Sequence, residues 1–215
     1  MYRAVLFDLD GTLAETDSLH LPTWVEALLP HGIEVDEAFY RENISGRANA
    51  EVVRDLLPNL SDEEGRSISE AKEVSFRERV GDLEPLPGLL GFLREIGARG
   101  LATGLVTNAP RENVGAVLPA LEIRDAFDAV VLSEEVEAVK PDPAPYNEAL
   151  RKLGVAPGEA LAFEDSVSGI ASAVGAGIPT VGIASTQEPD RLLEAGAFMV
   201  AKDFTDTKLR GLIGA

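Results

Sequence analysis

The sequence lacks cysteine, is poor in cations and has no long apolar run. Without cysteine there are no disulfides, thiolate metal sites or cysteine nucleophiles. The chain has 19 Lys and Arg residues and 37 Asp and Glu residues, so its formal net charge is −18. A charge of this sign repels phosphate backbones and anionic lipids, which disfavours nucleic-acid and membrane-surface roles. A small anionic substrate stays compatible, because the field of a site is set locally.

No apolar stretch reaches the roughly 18 residues that a membrane-spanning helix needs. We expect no signal peptide, because the charged and apolar blocks of such a segment are not seen before the apolar run at residues 4–7. We therefore expect a cytoplasmic protein without a nucleic-acid or membrane partner. We expect it to be a monomer or a weak homo-oligomer that acts on a small phosphorylated substrate.

Short apolar runs alternate with helical patterns along most of the 215 residues. Such alternation is typical of an α/β protein with a doubly wound, Rossmann-like parallel sheet that is covered by helices on both faces. The runs predicted to form strands are 4–7, 102–107, 129–132, 160–163 and 180–183, with a possible edge strand at 198–201.

The alternation stops between residues 18 and 80, where helical patterns follow one another without a convincing strand. We predict a core domain formed by 1–14 and 85–215 and an inserted α-helical cap domain formed by 15–84. Because two neighbouring connections make a hinge, we expect the cap to open and close over the sheet.

Two features locate helices inside the insert. Ser61 and Glu64 have the spacing of a capping box for a last helix that ends near Gly81. An earlier apolar stripe at helical spacing comprises Leu21, Trp24, Val25, Leu28 and Leu29.

The first chemical motif follows the first strand and places Asp8 and Asp10 two residues apart, with Gly11 next. Two such carboxylates repel each other unless a cation lies between them, and Mg²⁺ suits oxygen ligands. One carboxylate can then attack phosphorus while the other protonates the leaving oxygen. The alternative is a plain turn after a strand, since Asp and Gly favour turns.

The second motif is Thr107-Asn108-Ala109-Pro110 at the end of the strand 102–107. Its hydroxyl and amide can hold phosphate oxygens, and Pro110 suits the first position of a helix whose N–H groups favour an anion. The alternative is a helix cap without a ligand.

The third motif is Lys140 between stiffening prolines, in Lys-Pro-Asp-Pro. A fixed ammonium in so acidic a chain can offset charge on a transferring phosphoryl group. A solvated loop lysine is the alternative.

The fourth motif, Glu164-Asp165-Ser166, ends the strand 160–163 and supplies a second acidic pair. One carboxylate can bind the metal and the other can hold its water ligands. The alternative is an N-cap for the helix that starts at Val167, which is compatible with metal binding. Because each motif follows a strand, a doubly wound sheet brings all four to one edge.

In this order, and over nearly the whole chain, the four motifs resemble those of the haloacid dehalogenase superfamily. Within it, the chain resembles the group with a helical cap that contains β-phosphoglucomutase, and most of all its broad-range sugar phosphate phosphatases. The resemblance implies that Asp8 is the nucleophile, that Asp10 is the general acid/base and that Lys140 stabilises charge. An aspartate at position 10 disfavours the dehalogenases and phosphonatases of the superfamily.

The resemblance also implies a phosphate-binding turn and a magnesium site. The turn comprises Thr107, Asn108 and Ala109. The ligands of the magnesium ion would be Asp8, Asp10 through its backbone carbonyl, Glu164 and Asp165.

Residues of the predicted cap bear on the choice between phosphatase and mutase. His20, Trp24 and Lys72 match residues of the mutase, which favours that reaction. The mutase has an arginine three residues after the glycine that matches Gly46, whereas this chain has Asn49 there and Arg47 beside the glycine. We interpret this difference as favouring a phosphatase. Each of these residues also has a structural alternative, as core or surface.

The sequence thus predicts a Mg²⁺-dependent phosphatase that hydrolyses small phosphorylated metabolites, with sugar phosphates as the expected substrates, through an aspartyl-phosphate intermediate. A β-phosphoglucomutase-type mutase is the first alternative. A non-catalytic acidic module that binds metal or metabolites is the second.

Overall fold

The short apolar runs form the strands of a parallel sheet in the computed structural model, which describes residues 1–214. Within these residues the sheet has six strands in the order β3-β2-β1-β4-β5-β6, and all neighbouring pairs are parallel. The strands are β1 Ala4–Phe7, β2 Ala102–Thr107, β3 Ala129–Leu132, β4 Ala160–Glu164, β5 Thr180–Ile183 and β6 Met199–Ala201. The predicted fold class, an α/β protein with a doubly wound parallel sheet, is confirmed.

This strand order reverses direction between β1 and β4, which are hydrogen-bonded neighbours. In an open parallel sheet, ligands bind beyond the carboxyl ends of the strands at such a switch point. The residues that directly follow β1 and β4 therefore lie where the fold favours a site.

The chain divides into two compact units. One comprises Met1–Glu15 and the chain from Glu84 onward, and the other comprises Thr16–Leu83. Ala215, the last residue of the predicted core segment, lies outside the described residues. None of the helices in the described part of the chain has both the length and the apolar character needed to cross a membrane.

Helices cover both faces of the sheet in the first unit. On one face Leu6 belongs to an apolar cluster with Tyr146 and Ala173. On the other face the Phe7 ring stacks on Phe163, with ring centroids 5.3 Å apart. The helices of this unit are α5 Leu89–Ala98, α6 Arg111–Ala120, α7 Ala144–Leu153, α8 Val167–Gly175, α9 Pro189–Glu194 and α10 Thr207–Leu212.

The four residues of β1 are fully buried, which explains why the strand reads as a continuous apolar run. Burial of one phenylalanine side chain contributes about 1.5–3 kcal/mol, so the packed rings anchor the strand that ends at Asp8.

The second unit is built from helices around its own apolar cluster, which includes Trp24 and Val52. Ser61 and Glu64 form the predicted capping box, but the helix that they start ends at Arg77 instead of near Gly81, and a 3₁₀ turn follows. Its helices are α1 Asp17–Leu28, α2 Glu37–Asn43, α3 Asn49–Leu56 and α4 Asp62–Arg77.

Candidate active site

The end of β1 fixes the position of Asp8. Its backbone N–H donates to the carbonyl of Phe163 on the neighbouring strand, at 3.1 Å. Gly11 then turns the chain with a left-handed φ of +76°, and its N–H donates to the carbonyl of Ala14 at 2.8 Å. A glycine is required here because a Cβ would lie 2.2 Å from a carboxylate oxygen of Asp165.

Lys140 lies in the loop before α7, and its ammonium is the centre of the site. Nζ donates to Oδ1 of Asp8 at 2.6 Å, to Oε1 of Glu164 at 2.6 Å and to the carbonyl of Val106 at 2.7 Å. The lysine side chain is only 3% exposed. Lys140 is therefore a buried cation shared between two carboxylates, so it is not the solvated loop residue that the sequence left open.

Burial and neighbouring charges set the protonation of these groups. The pKa of Asp8 is raised to about 7: burial raises it most, the charge of Lys140 lowers it, and the charges of Glu164 and Asp10 raise it. Burial lowers the pKa of Lys140, but the charges of Asp8 and Glu164 raise it more, so its pKa lies above the ordinary value. The lysine stays cationic, and Asp8 is held near the balance between its two protonation states.

Glu164 ends β4 and is fully buried. Besides the bond from Lys140, its Oε1 accepts a hydrogen bond of 2.7 Å from the phenol of Tyr146 on α7. Burial raises the pKa of Tyr146, and the charge of Glu164 raises it further, so the phenol remains a donor. Gly169 has to be glycine here, because a Cβ at that position would meet the Glu164 carboxylate at about 2 Å. Glu164 thus holds Lys140 in place.

Asp165 is the second acidic residue at the end of β4, and it is 4% exposed. Its Oδ1 accepts a hydrogen bond of 3.3 Å from the hydroxyl of Thr12, and its Oδ2 accepts one from the hydroxyl of Thr186. One oxygen from each of Asp8, Glu164 and Asp165 can be chosen so that all three lie within 4.8 Å of one another.

This donor set fits a hard divalent cation. Buried carboxylate oxygens are the ligands that Mg²⁺ and Ca²⁺ take in proteins. Lys140 forms ion pairs with two of these three carboxylates, those of Asp8 and Glu164. A divalent cation would add positive charge to this buried acidic cluster.

The turn after β2 makes contacts that the sequence did not predict. The hydroxyl of Thr107 accepts a hydrogen bond from the N–H of Ala109 at 2.9 Å. The Asn108 side chain pairs with the backbone of Lys140, accepting from its N–H at 3.3 Å and donating to its carbonyl at 3.4 Å. Pro110 is the N-cap of α6 instead of its first residue. The Asn108 amide therefore ties this turn to the loop that carries Lys140.

The candidate residues of the second unit fall into two groups. Lys72 is buried, and its Nζ donates to Nδ1 of His20 at 2.8 Å and to the carboxylate of Glu73 at 2.9 Å. Nζ also lies 5.3 Å from the centre of the Trp24 ring. By contrast, Arg47 forms an ion pair with Asp55.

Two more of the predicted site residues, Gly46 and Asp10, are placed by their backbone. Gly46, which precedes Arg47, has a left-handed φ of +74°. Asp10, in the first unit, is half-buried and is bridged through its backbone to Ala14.

Several residues of the site escaped the sequence analysis. Thr12 is part of the first motif, yet no role was predicted for it. Tyr146 lies inside α7, and nothing in the spacing of its neighbours indicates a polar partner. Thr186 follows β5, so extending the rule of strand ends to that strand would have found it.

The fold and the geometry of the site define the class of protein. It is an α/β enzyme whose acidic site, centred on a lysine, lies at the carboxyl edge of the sheet. The chain matches the haloacid dehalogenase-like hydrolase family over residues 5–183, and it belongs to that family.

The chain is similar to known proteins over nearly its whole length. It is 30% identical to validoxylamine A 7'-phosphate phosphatase of Streptomyces hygroscopicus subsp. limoneus, over 97% of both chains. It is also 30% identical to phosphorylated carbohydrates phosphatase of Thermotoga maritima, over 93% of this chain and 94% of the other. The crystal structure of CbbY from Rhodobacter sphaeroides in complex with phosphate is 30% identical and covers 96% of both chains, with a TM-score of 0.84.

Proposed function

We propose that the protein is a Mg²⁺-dependent phosphatase that hydrolyses small sugar phosphates through an aspartyl-phosphate at Asp8. The observation that carries this proposal is the Asp8 carboxylate, which lies at the carboxyl edge of the sheet and accepts a hydrogen bond from the buried Lys140. Two of the relatives are phosphatases by name, one of them of phosphorylated carbohydrates. The related CbbY structure holds phosphate.

The magnesium ion would be held by the carboxylates of Asp8 and Asp165, with Glu164 beside them and Asp10 contributing its backbone carbonyl. When bound, the ion would offset the negative charge of these groups and of the phosphoryl group. Lys140 adds a fixed positive charge at the same place, which costs no reorganisation during the reaction.

The reaction needs two carboxyl groups with different tasks. A carboxylate oxygen of Asp8 attacks phosphorus, the bond from phosphorus to the leaving oxygen breaks, and Asp10 donates its proton to that oxygen. Asp10 then takes a proton from water, whose oxygen attacks phosphorus and releases phosphate and the Asp8 carboxylate. Attack requires ionised Asp8, and the charge of Lys140 favours this form.

We assign the turn Thr107-Asn108-Ala109 to the phosphoryl oxygens. The hydrogen bonds of the Asn108 amide to the backbone of Lys140 favour a division of tasks within it. In this division the Thr107 hydroxyl and the backbone N–H groups of the turn contact phosphate, while the Asn108 amide fixes the lysine loop.

The inserted helical segment 15–84 is assigned the role of a cap that selects the substrate. Its candidate contacts to the part of the substrate beyond the phosphoryl group are His20, Trp24, Gly46, Arg47 and Lys72. The hydrogen bonds of Lys72 to His20 and Glu73 support a fixed arrangement of two of these groups.

Asn49 favours the phosphatase over a mutase. A mutase has to hold a second, distal phosphate, for which a cation is suited. Asn49 is a neutral amide, and it donates a hydrogen bond to the carboxylate of Glu73. The Asn49 side chain thus contacts Glu73, the carboxylate that also accepts a hydrogen bond from Lys72.

The test is a panel of sugar phosphates, incubated with Mg²⁺ and assayed for inorganic phosphate. We expect release by the wild type and by Asp190→Asn, an exposed control, and none by Asp8→Asn. NMR of the products distinguishes the two reactions. If an isomeric sugar phosphate forms faster than free phosphate, the enzyme is a mutase and the proposed phosphatase activity is wrong. Tight binding of the panel without turnover would contradict both.

A further inference from the structure

The loop that follows β5 contacts the two loops that carry the acidic residues. The hydroxyl of Ser185 donates to the carbonyl of Gly11 in the loop after β1. The hydroxyl of Thr186 donates to the carboxylate of Asp165, and it lies 3.3 Å from the backbone carbonyl of the same residue. Because β1, β4 and β5 are neighbours in the sheet, these contacts tie three adjacent strand ends together.

The packing between these loops leaves little room for the Asp165 carboxylate to rotate. A Cβ at Gly11 would lie 2.2 Å from its Oδ2 and 2.8 Å from the methyl group of Thr186. On the other side, the hydroxyl of Thr12 donates to Oδ1. Each carboxylate oxygen thus accepts a hydrogen bond from a threonine, and the two threonines belong to different loops.

Hydroxyl donors of this kind suit a metal ligand. An ionised carboxylate offers about four lone-pair positions on its two oxygens, so hydroxyl donors and a cation can share it. Groups that orient a metal ligand in this way commonly change metal affinity by about 10–100-fold when they are removed.

We propose that Ser185 and Thr186 are positioning residues that fix the Asp165 carboxylate for a divalent cation. Thr186 acts on the carboxylate directly, and Ser185 acts by holding the Gly11 turn against it. This inference rests on the proposed function, because it concerns the metal site of that reaction.

The test is a titration with Mn²⁺, followed by electron paramagnetic resonance, on the full chain without substrate. Thr186→Val removes the hydroxyl and keeps the shape, and we expect the Kd for Mn²⁺ to rise by about 10–100-fold. Thr186→Ser retains the donor and should restore most of the affinity. Thr205→Val is the matched control, because the hydroxyl of Thr205 also donates to an aspartate carboxylate, that of Asp203, in another loop.

Ser185→Ala provides a second, milder variant, for which we expect a smaller rise in Kd. If folded Thr186→Val and Ser185→Ala both bind Mn²⁺ as the wild type does, the inference is wrong while the proposed function stands. If the wild type itself binds no Mn²⁺, the metal site of the proposed function is wrong, and the inference falls with it.

Two further readouts separate positioning from a merely structural role. Positioning predicts that Thr186→Val raises the Mg²⁺ concentration needed for half-maximal activity, while kcat at saturating Mg²⁺ stays close to that of the wild type. It also predicts that Thr186→Val has no added effect on Mn²⁺ affinity in an Asp165→Asn background, since the two side chains act as one unit. Equal losses in both backgrounds would overturn the proposal.

Discussion

Replacing Lys140 by methionine tests the electrostatics of the site, because it removes the ammonium and keeps most of the side-chain volume. In the wild type this ammonium lies 2.6 Å from a carboxylate oxygen of Asp8 and 2.6 Å from one of Glu164. Removing one partner of a buried ion pair costs about 3–5 kcal/mol, since a charge is left without compensation. Two carboxylates lose their partner here.

The expected loss is a large part of the stability of a domain, which is about 5–15 kcal/mol. At roughly 2–4 °C per kcal/mol for a chain of this size, Tm at pH 8 should fall by about 6–20 °C. Lys152→Met is the control: its ammonium pairs with Glu135 at the surface, with side chains 30% and 27% exposed. A pair of this kind contributes about 1 kcal/mol or less.

The loss should depend on pH. Burial raises the pKa of Asp8 from the ordinary 3.8 to about 7, and Lys140 is the neighbour that lowers it, so Lys140→Met raises it further. A carboxyl group whose pKa rises on folding stabilises the fold at low pH, and that stabilisation is lost as pH rises through the folded-state pKa. The gap between variant and wild type should therefore be wide at pH 8 and narrow towards pH 5.

Differential scanning calorimetry without metal, at both pH values, measures this gap. Adding Mg²⁺ at pH 8 should recover part of it, because the cation takes over some of the charge compensation. If Lys140→Met melts like the wild type at pH 8, or if the gap is as wide at pH 5 as at pH 8, the ammonium does not compensate the charge of these carboxylates.

Three further predictions address the metal, the second unit and the turn after β1. Since burial raises the pKa of Asp8 to about 7, protons compete with the cation, and Mn²⁺ affinity measured by titration should increase from pH 6 to pH 8; an affinity independent of pH would contradict this. Glu73→Ala removes the carboxylate partner of the buried Lys72 and should destabilise the protein by about 3–5 kcal/mol in urea unfolding; an unchanged transition midpoint would show that the ion pair does not stabilise the fold. Gly11→Ala places a methyl group against Asp165 at a left-handed φ, so Mn²⁺ binding should be lost or severely weakened; a variant that binds Mn²⁺ normally would mean that the turn relaxes freely.

The sheet was predictable because its inner strands β1, β2, β4 and β5 are almost entirely buried and therefore stand out as apolar runs. The edge strand β6 is shorter than predicted: Phe198 is 50% exposed, and the strand starts at Met199. In α1 the predicted apolar stripe places Trp24 correctly in the apolar cluster of the second unit, but Leu29 lies beyond the helix and is 58% exposed. Helical spacing alone does not show where a helix ends.

The clustering of Asp8, Glu164 and Asp165 was also predictable, since motifs at strand ends meet at one edge of a parallel sheet. Their hydrogen-bond partners were not. Tyr146 binds Glu164 from inside a helix, and Asn108 binds the backbone of Lys140 instead of pointing only to a ligand. Such pairings depend on tertiary packing between elements that are distant in sequence, and no local pattern encodes them.

The most direct test of Asp8 as the nucleophile is to look for phosphate on this residue. The enzyme is mixed with a sugar phosphate that it hydrolyses and with Mg²⁺, quenched in acid within one turnover, and mapped by peptide mass spectrometry, with a parallel sample trapped by hydroxylamine. We predict a phosphorylated, hydroxylamine-sensitive aspartate at position 8 in the wild type and none in Asp8→Asn. Phosphate on another residue, or turnover by Asp8→Asn at the rate of the wild type, would contradict it.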